Sequence, residues 1–117
     1  DALPVFEAAI ESERYTVLLA EVDGELAGYG VLNAPDGQID AAFVAPEFGG
    51  QGIARSLVGQ LETRARMQGI GELDVVASLN AKLFYERLGY WHFDTQTRAI
   101  DGVDIEFAVM HKRLDGA

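Results

Sequence analysis

The sequence predicts an α/β protein of the α+β kind, in which helices flank a mixed, mostly antiparallel central sheet with one parallel crossover. Three observations lead to this prediction. Strand-sized apolar runs are separated by glycine turns, a long amphipathic stretch begins at Gly52, and a shorter helical stretch surrounds Phe84. Neighbouring strand runs followed by alternating helices and strands are typical of a sheet covered by helices.

The N-terminal part is predicted to contain one helix and three strands. The apolar residues from Val5 to Ile10 fit helical spacing. Three β-rich runs follow, each closed by a turn signal: Asp23-Gly24, Pro35-Asp36-Gly37 or Pro46. The predicted strands are Thr16–Val22, Leu26–Leu32 and Ile39–Ala45. Because short turns join these runs, we expect them to pair antiparallel.

The C-terminal part is predicted to alternate helices and strands. In the first helix, Gly52–Gln68, apolar residues recur every four positions, at Ile53, Leu57, Leu61 and Ala65. The remaining elements are a strand at Leu73–Ala77, a helix from Ala81 to Leu88 that Gly89 ends, and strands at Tyr90–Phe93 and Val103–Met110. The strand, helix and strand from Ile39 to Ala77 form a crossover, which predicts a parallel pair.

Composition limits the possible functions. A chain of 117 residues with 49% apolar residues has the size of a single domain, which we place at residues 1–117. The absence of cysteine and the presence of only two histidines argue against a metal site. The formal net charge of −10 opposes binding to nucleic acid and to anionic membranes, and it favours cationic partners weakly. We expect a soluble, cytoplasmic protein.

A glycine-rich segment, Gly49-Gly50-Gln51-Gly52, lies between a predicted strand and the long predicted helix. Backbone N–H groups and the helix N-terminus are expected to point into one concavity there, a place that suits a diphosphate. Arg55 in the first helical turn adds a possible charged contact. The alternative is a flexible turn that needs glycine only for its geometry. No Gly-Lys-Ser/Thr or Gly-x-Gly-x-x-Gly pattern is present, so Walker and dinucleotide loops are disfavoured.

The segment from Val44 to Val58, Val-Ala-Pro-Glu-Phe-Gly-Gly-Gln-Gly-Ile-Ala-Arg-Ser-Leu-Val, resembles the acetyl-CoA signature of the GNAT superfamily of N-acetyltransferases. That signature is Gln/Arg-x-x-Gly-x-Gly/Ala after a strand ending in Val-x-Pro. Gly52 and Ala54 fill its two small-residue positions, whereas Gly49 stands where the family usually has Gln or Arg. The resemblance implies that the backbone of Gly50, Gln51, Gly52, Ile53 and Ala54 binds acetyl-CoA.

A second segment, Ser78-Leu-Asn-Ala-Lys-Leu-Phe-Tyr-Glu-Arg-Leu-Gly-Tyr90, resembles the later motif of the same family. Ser78 or Asn80 is expected to cap the helix. The resemblance implies that Asn80 contacts the pantetheine arm and that Tyr85 protonates the departing coenzyme A thiolate as a general acid. The alternative for Tyr85 is a half-buried aromatic residue that belongs to the core.

The resemblance extends from about Thr16 to the C-terminus. Family members normally begin with a further strand and helix that help to wall the acceptor site, whereas this chain begins at what reads as the second helix. Three explanations are open: a trimmed N-terminus, a disordered beginning, or a wall supplied by a second subunit.

The resemblance also implies a backbone N–H for the developing oxyanion, at Phe43 or Val44 on the strand before the glycine segment. For the general base, Asp40 on the same strand is the first candidate, Glu21 the second and His92 the third. Each has a structural alternative as an ordinary strand or surface residue. Asp104 and Glu106 are candidates for recognising a cationic acceptor, or they form a solvent face.

The predicted function is transfer of an acetyl group from acetyl-CoA to a primary amine of a small molecule, peptide or protein, by direct attack in a ternary complex. The predicted coenzyme-binding residues are Phe43, Val44, Gly49, Gly50, Gln51, Gly52, Ile53, Ala54, Arg55, Asn80 and Tyr85. One alternative is a non-catalytic acyl-CoA-binding module, and another is a structural dimer subunit. An exposed last strand and a short N-terminus make a homodimer possible, by edge pairing or β-exchange. No metal, nucleic acid or membrane partner is expected.

Overall fold

The computed structural model describes residues 3–115, which form a seven-stranded sheet and two α-helices. The strands are β1 (Val5–Glu11), β2 (Tyr15–Val22), β3 (Glu25–Asn33), β4 (Gln38–Val44), β5 (Glu72–Ser78), β6 (Trp91–Ile100) and β7 (Val103–Arg113). The helices are α1 (Ile53–Met67) and α2 (Lys82–Arg87), and short 3-10 helices lie at Pro46–Phe48 and Leu79–Ala81.

The sheet is mostly antiparallel and has the order β1-β2-β3-β4-β5-β7-β6. Its one parallel pair joins β4 to β5 and spans only Gln38↔Asp74 and Ile39↔Val75. The crossover that makes this pair runs through α1, as the sequence predicts. Two-residue turns at Asp23-Gly24 and Asp101-Gly102 close the β2–β3 and β6–β7 hairpins, and Asp23 and Asp101 take positive φ angles there.

Both helices pack on the same face of the sheet. On α1, Leu57, Val58 and Leu61 are fully buried in a core cluster that Leu18, Leu32 and Leu73 reach from the strands. Gly30 on β3 admits α1 closely, since a Cβ there would lie 2.8 Å from Leu61 Cδ1. Tyr85 of α2 and the neighbouring Tyr90 complete this cluster on its other side.

The opposite face of the sheet carries partly or largely exposed apolar side chains. Tyr29 and Phe43 lie there side by side, with ring centroids 5.7 Å apart. Trp91 and Phe93 form a similar exposed pair at the β6 edge. No helix among residues 3–115 covers this face, and no helix of this part is long and apolar enough to cross a membrane.

The predicted strands and both helices after Thr16 are confirmed, and all of them except β6 differ from the prediction by at most three residues at either end. The predicted helix at Val5–Ile10 is wrong, because this segment is β1 and pairs antiparallel with β2. Its Phe6 and Ala8 face the core in alternation, as strand residues do. The reading of this segment as the second helix of the family is therefore wrong as well. Strand β6 is longer than predicted, continuing to Ile100.

The predicted side-chain cap of the second helix is also wrong. That helix is preceded by the 3-10 turn Leu79–Ala81, and neither Ser78 nor Ala81, the residues at the two N-cap positions, makes a side-chain capping hydrogen bond. Asn80 lies inside the 3-10 turn and is exposed.

Candidate functional site

A wedge-shaped gap opens between β4 and β5 beyond their two paired residues. Strand β4 continues to Val44 along β3, whereas β5 continues to Ser78 along β7. Across the gap, residues 40–44 and 76–78 share no ladder bonds. Because the strands are parallel, their carboxyl ends lie at the same edge, and the connection from β4 to α1 begins there.

A row of free backbone donors lies at the mouth of this gap. The first N–H group of α1 that finds a helical acceptor is that of Ser56, which donates to Gly52 O at 3.1 Å. The six preceding N–H groups have no hydrogen-bond acceptor within residues 3–115; they belong to Gly50, Gln51, Gly52, Ile53, Ala54 and Arg55. No side chain caps the helix, and its first turn contains no acidic residue. The arrangement suits an anion.

The backbone of this segment explains its glycines. Gly50 and Gly52 have φ angles of 75° and 76°, which side-chain-bearing residues rarely adopt. A Cβ at either position would meet nothing within 4 Å, so the requirement is conformational and not a matter of space. Gly49 differs, because its φ is −65° and its N–H donates to Pro46 O at 3.0 Å. Its N–H is thus already used.

The end of β4 presents one N–H to the gap. Ala45 N donates to Ala27 O on the β3 side at 2.8 Å. Because successive amides in a strand point to opposite sides, the N–H of Val44 points away from β3, into the gap. Gly28 permits the close pairing here, since a Cβ would lie 2.2 Å from Phe43 O. Of the two predicted oxyanion donors, the geometry therefore favours Val44.

Tyr85 of α2 is almost fully buried in the core, with 6% of its surface exposed. Its ring makes edge contacts with Phe84 and Tyr90 at centroid distances of 5.0 and 5.5 Å. The Tyr85 hydroxyl makes no hydrogen bond within residues 3–115. In that range every fully buried side-chain oxygen has a hydrogen-bond partner, so this hydroxyl is not fully buried and retains access to solvent. Burial raises its pKa above 10.0. The phenol stays protonated at neutral pH.

Asn80 lines an open cleft of about 720 Å³ between the 3-10 turn and the β6–β7 hairpin. Asp104 and Glu106 line the same cleft, together with Ser78 and Thr97. The structure thus brings the predicted pantetheine contact and the two predicted acceptor carboxylates to one surface.

The three predicted bases lie at different levels of the sheet. Glu21 is near the end of β2, which runs parallel to β4, so it lies at the same edge as Val44. Asp40 is the extra residue of a β-bulge, because Val31 pairs with Ala41 and Leu32 pairs with Ile39. It lies four residues before Val44, about 13 Å along the strand.

The side chains of the other two candidates are engaged elsewhere. The Asp40 carboxylate accepts hydrogen bonds from Gln38 Nε2 at 3.0 Å and from Asn33 Nδ2 at 3.4 Å. His92 lies on the edge strand, where Nε2 is 3.0 Å from Thr95 Oγ1. His92 pairs with Met110 of β7, Met110 pairs with Val75 of β5, and Val75 pairs with Ile39 of β4. His92 is therefore level with Ile39 and not with Val44. The structure therefore groups Glu21 with the glycine segment and separates Asp40 and His92 from it.

A polar cluster between α1, Tyr90 and β7 was not identified from the sequence. Buried Glu62 accepts a hydrogen bond from the Tyr90 hydroxyl at 2.7 Å, and both of its oxygens are 3.1 Å from Lys112 Nζ. The cluster borders a cavity of about 260 Å³, which Arg55 and Arg87 also line. The sequence contains one signal of this cluster, because Glu62 lies next to Leu61 in the apolar stripe of α1. Within residues 3–115, no group of His, Cys, Asp or Glu side chains is arranged to hold a metal ion.

Solved structures of other proteins share this fold. A GCN5-related N-acetyltransferase from Rhodopseudomonas palustris is similar, with 31% sequence identity and a TM-score of 0.79. The match covers 85% of this chain and 61% of the Rhodopseudomonas chain. The ribosomal-protein-S18-alanine N-acetyltransferase from Escherichia coli has 18% identity and a TM-score of 0.79, and the match covers 92% of this chain and 74% of the Escherichia coli chain. A GNAT acetyltransferase from Elizabethkingia anophelis with acetyl-CoA bound has 19% identity and a TM-score of 0.72, and the match covers 86% of this chain and 76% of the Elizabethkingia chain.

The chain thus spans less than two thirds of the Rhodopseudomonas protein. A family model described as an acetyltransferase (GNAT) domain matches residues 3–114. Because this match covers nearly the whole chain, the protein belongs to the GNAT family of acetyltransferases.

Proposed function

We propose that this chain is a single catalytic domain that transfers the acetyl group of acetyl-CoA to a primary amine, within a ternary complex. The observation that carries the proposal is the row of free N–H groups from Gly50 to Arg55 beside the gap between β4 and β5. The N–H row binds the diphosphate, and the gap takes the pantetheine arm. The acetyl-CoA bound to the similar Elizabethkingia protein supports this choice of ligand.

The reaction needs one bond made and one broken. The amine nitrogen attacks the thioester carbonyl carbon, so that the new C–N bond replaces the C–S bond and coenzyme A leaves as the thiolate. The Val44 N–H donates to the carbonyl oxygen as negative charge develops on it. Tyr85 gives its phenolic proton to the thiolate, and the amine gives up a proton to a base. The products are the acetamide and coenzyme A, and Tyr85 regains its proton from solvent.

Glu21 is the base that the geometry supports best. It is half-buried and lies at the sheet edge where β4 ends, and its side chain projects from the face that carries Tyr29 and Phe43. Two strand spacings, about 10 Å, separate β2 from β4, so proton transfer runs through water. The amine approaches from that open face. Its chemical class, whether small molecule, peptide or protein, is left to the assay.

Two measurements test the proposal. Because a ligand that binds only the native state stabilises it by RT ln(1 + [L]/Kd), millimolar acetyl-CoA is expected to raise the melting temperature. Release of free thiol from acetyl-CoA is then followed with a panel of amines. The absence of a thermal shift would contradict coenzyme binding, whereas a shift without thiol release for any amine would indicate a non-catalytic acyl-CoA-binding module.

Tyr85→Phe distinguishes catalysis from binding. This substitution removes the phenolic proton and keeps the ring that packs against Phe84 and Tyr90. We expect the thermal shift with acetyl-CoA to persist and the turnover to fall by about a hundredfold or more. Unchanged turnover in this variant would remove Tyr85 from the role of acid.

A further inference from the structure

The sheet ends on one side in a long strand that has no further neighbour. Strand β6 pairs with β7 on one side, and no strand among residues 3–115 lies on its other side. All of its residues except His92 are exposed. The last strand, β7, was expected to be the exposed one, and this expectation is wrong because β7 lies between β5 and β6. A long exposed edge of this kind can pair with another strand.

The turn of the β6–β7 hairpin determines which backbone groups point outward from this edge. Ile100 and Val103 flank the two-residue turn, so they exchange hydrogen bonds, and every second residue of β6 before them does the same with β7. The register does not shift between Ile100 and Asp94, so the N–H and C=O groups of Thr95 and Thr97 point away from β7. In agreement, Thr95 N donates to the Asp94 carboxylate at 2.8 Å.

The side chains of β6 are arranged so that the strand can pair with a second copy of itself. The segment Asp94-Thr95-Gln96-Thr97-Arg98 is symmetric about Gln96, except that its two ends carry opposite charges. In an antiparallel pair with a two-fold axis at Gln96, Asp94 lies opposite the partner's Arg98, and Thr95 lies opposite the partner's Thr97. Opposite charges and threonines at opposed positions stabilise antiparallel strands.

The two charged side chains have no ion-pair partner within the described part of one chain. Asp94 accepts the Thr95 N–H, whereas Arg98 donates to Gln96 Oε1 at 3.1 Å and lies over the ring of Phe107. Asp94 and Arg98 are four positions apart on a strand, about 13 Å, so they do not meet within one chain. The two-fold pairing brings them together twice and breaks no ion pair of residues 3–115.

The apolar side chains at the two ends of β6 match in the same register. Trp91 and Phe93 at its start are 55% and 47% exposed, and their ring centroids are 5.4 Å apart. Ile100 and Val103 at the hairpin tip are 46% and 59% exposed, and they lie on the same face of the sheet as the aromatic pair. Ile100 follows Gln96 by four positions, and the aromatic pair precedes it by three and five. The two-fold axis therefore brings the partner's hairpin tip beside the aromatic pair.

We propose that this chain forms a homodimer in which two β6 strands pair antiparallel about a two-fold axis at Gln96, so that two seven-stranded sheets become one. The interface is isologous and closes with two copies, because the pairing uses the free edge of both β6 strands. It also extends the cleft that contains Asn80. Thr97 lines that cleft, and the partner's Thr95 lies beside it on the same face of the sheet. The proposal does not depend on acetyl transfer.

The first test is the oligomeric state of the full chain. Sedimentation equilibrium from about 1 µM to 1 mM covers the range in which interfaces of modest size assemble. We expect twice the mass of one chain in the upper part of this range. A chain that remains monomeric throughout would overturn the proposal and leave the edge of β6 to a strand of another protein.

Thr97→Pro tests the backbone pairing. It removes an N–H that points outward, so the ladder between β6 and β7 is kept while the edge is blocked. We expect the dimer dissociation constant to rise by about a hundredfold or more. Thr97→Ala is the matched control, because it keeps the N–H and should change the constant by less than about threefold. An unchanged dimer in a folded Thr97→Pro variant would overturn the proposal.

A charge exchange tests the register without blocking the edge. Asp94→Arg and Arg98→Asp each place like charges opposite one another twice per dimer, so each should weaken the dimer by about tenfold. The double variant restores opposite charges and should return to within about threefold of the wild type. Because the two residues do not meet within one chain, an effect on the monomer alone predicts no such recovery. Failure of the double variant to recover would overturn the axis at Gln96.

Trp91 provides a spectroscopic test of the same interface, because it is the only tryptophan in the sequence. Contact with the partner's hairpin tip covers its indole, so its emission should shift to shorter wavelength as the concentration rises through the dimer dissociation constant. The shift should be absent in Thr97→Pro. A dimer that forms without this shift would use another surface, and this result would overturn the proposal.

Discussion

The hydroxyl of Tyr90 donates a 2.7 Å hydrogen bond to Oε2 of Glu62, which joins the residue before β6 to the middle of α1. Tyr90 is 2% exposed, and Lys112 is the counterion of Glu62. The carboxylate is thus buried with an ion pair on one side and a phenol on the other. A buried charge of this kind is tolerated only while its partners remain.

Removal of the phenol should therefore reduce stability. Tyr90→Phe keeps the ring and deletes the donor, and hydrogen bonds to charged groups contribute about 1.5–3 kcal/mol. We expect the free energy of unfolding to fall by about 2 kcal/mol, measured as the urea midpoint. Tyr29→Phe is the control, because Tyr29 is exposed and its hydroxyl has no hydrogen-bond partner within residues 3–115. An equal loss in both variants would contradict a specific role for the bond to Glu62.

The same bond predicts how stability depends on alkaline pH. Burial, the hydrogen bond to Glu62 and the negative charge of Glu62 raise the pKa of Tyr90 above 10.0. Above about pH 10 the unfolded chain releases this proton while the native state keeps it, so stability falls as pH rises, by about 1.4 kcal/mol per pH unit for each such tyrosine. Burial raises the pKa of Tyr85 as well. The slope between pH 10 and 11 should be about half as steep in Tyr90→Phe, and an unchanged slope would contradict this cause.

Gly28 is predicted to be intolerant of any side chain. A Cβ at this position would lie 2.2 Å from Phe43 O, which belongs to the backbone and cannot rotate away. We expect Gly28→Ala to cost about 1–3 kcal/mol and to disturb the N–H of Val44 opposite.

Gly59→Ala is the matched comparison for stability. Position 59 is in the middle of α1, and a Cβ there meets nothing within 4 Å, so the change should raise stability by up to about 1 kcal/mol. Urea unfolding of the two variants measures both effects. Tolerance of alanine at position 28 would show that β3 and β4 separate there at little cost.

The segments predicted well from the sequence are those whose own pattern decides their structure. The apolar stripe of α1 and the glycines before it specify a helix and its entry turn locally. The predicted helix at Val5–Ile10 is wrong because the apolar residues of this segment fit a strand period as well as a helical one. Pairing with β2 decides between them, and this contact depends on residues elsewhere in the chain. Strand β6 beyond Phe93 likewise depends on β7.

Local pattern also explains what could be predicted of the site. The free N–H groups follow from the sequence of the glycine segment, whereas the placement of the candidate bases depends on strand register. The bulge at Asp40 shifts β4 against β3, and the direction of β2 brings Glu21 to the edge where β4 ends. The cavity lined by Arg55 and Arg87 depends on how α1 packs beside α2. These two arginines are 32 positions apart in the sequence, so no local pattern specifies that they lie together.

The placement of the two carboxylates predicts that Glu21 and not Asp40 supports turnover. Glu21→Gln should lower kcat by about a hundredfold, the usual effect of losing a general base. Asp40→Asn should lower kcat by less than about threefold, because the Asp40 carboxylate is bonded to Gln38 and Asn33, about 13 Å from Val44 along β4. Steady-state thiol release over pH 6–9 measures both, and the reverse order of effects would restore Asp40 as the base.

The raised pKa of Tyr85 predicts the alkaline side of the pH profile. Because burial holds this pKa above 10.0, the phenol keeps its proton throughout the range in which the fold is stable. As pH rises from 7 to about 9.5, kcat should therefore increase or reach a plateau as the acceptor amine loses its proton, and it should not decline. A descending limb centred below pH 9.5 in the wild type, absent from the residual activity of Tyr85→Phe, would mean that the phenol ionises earlier than its burial allows.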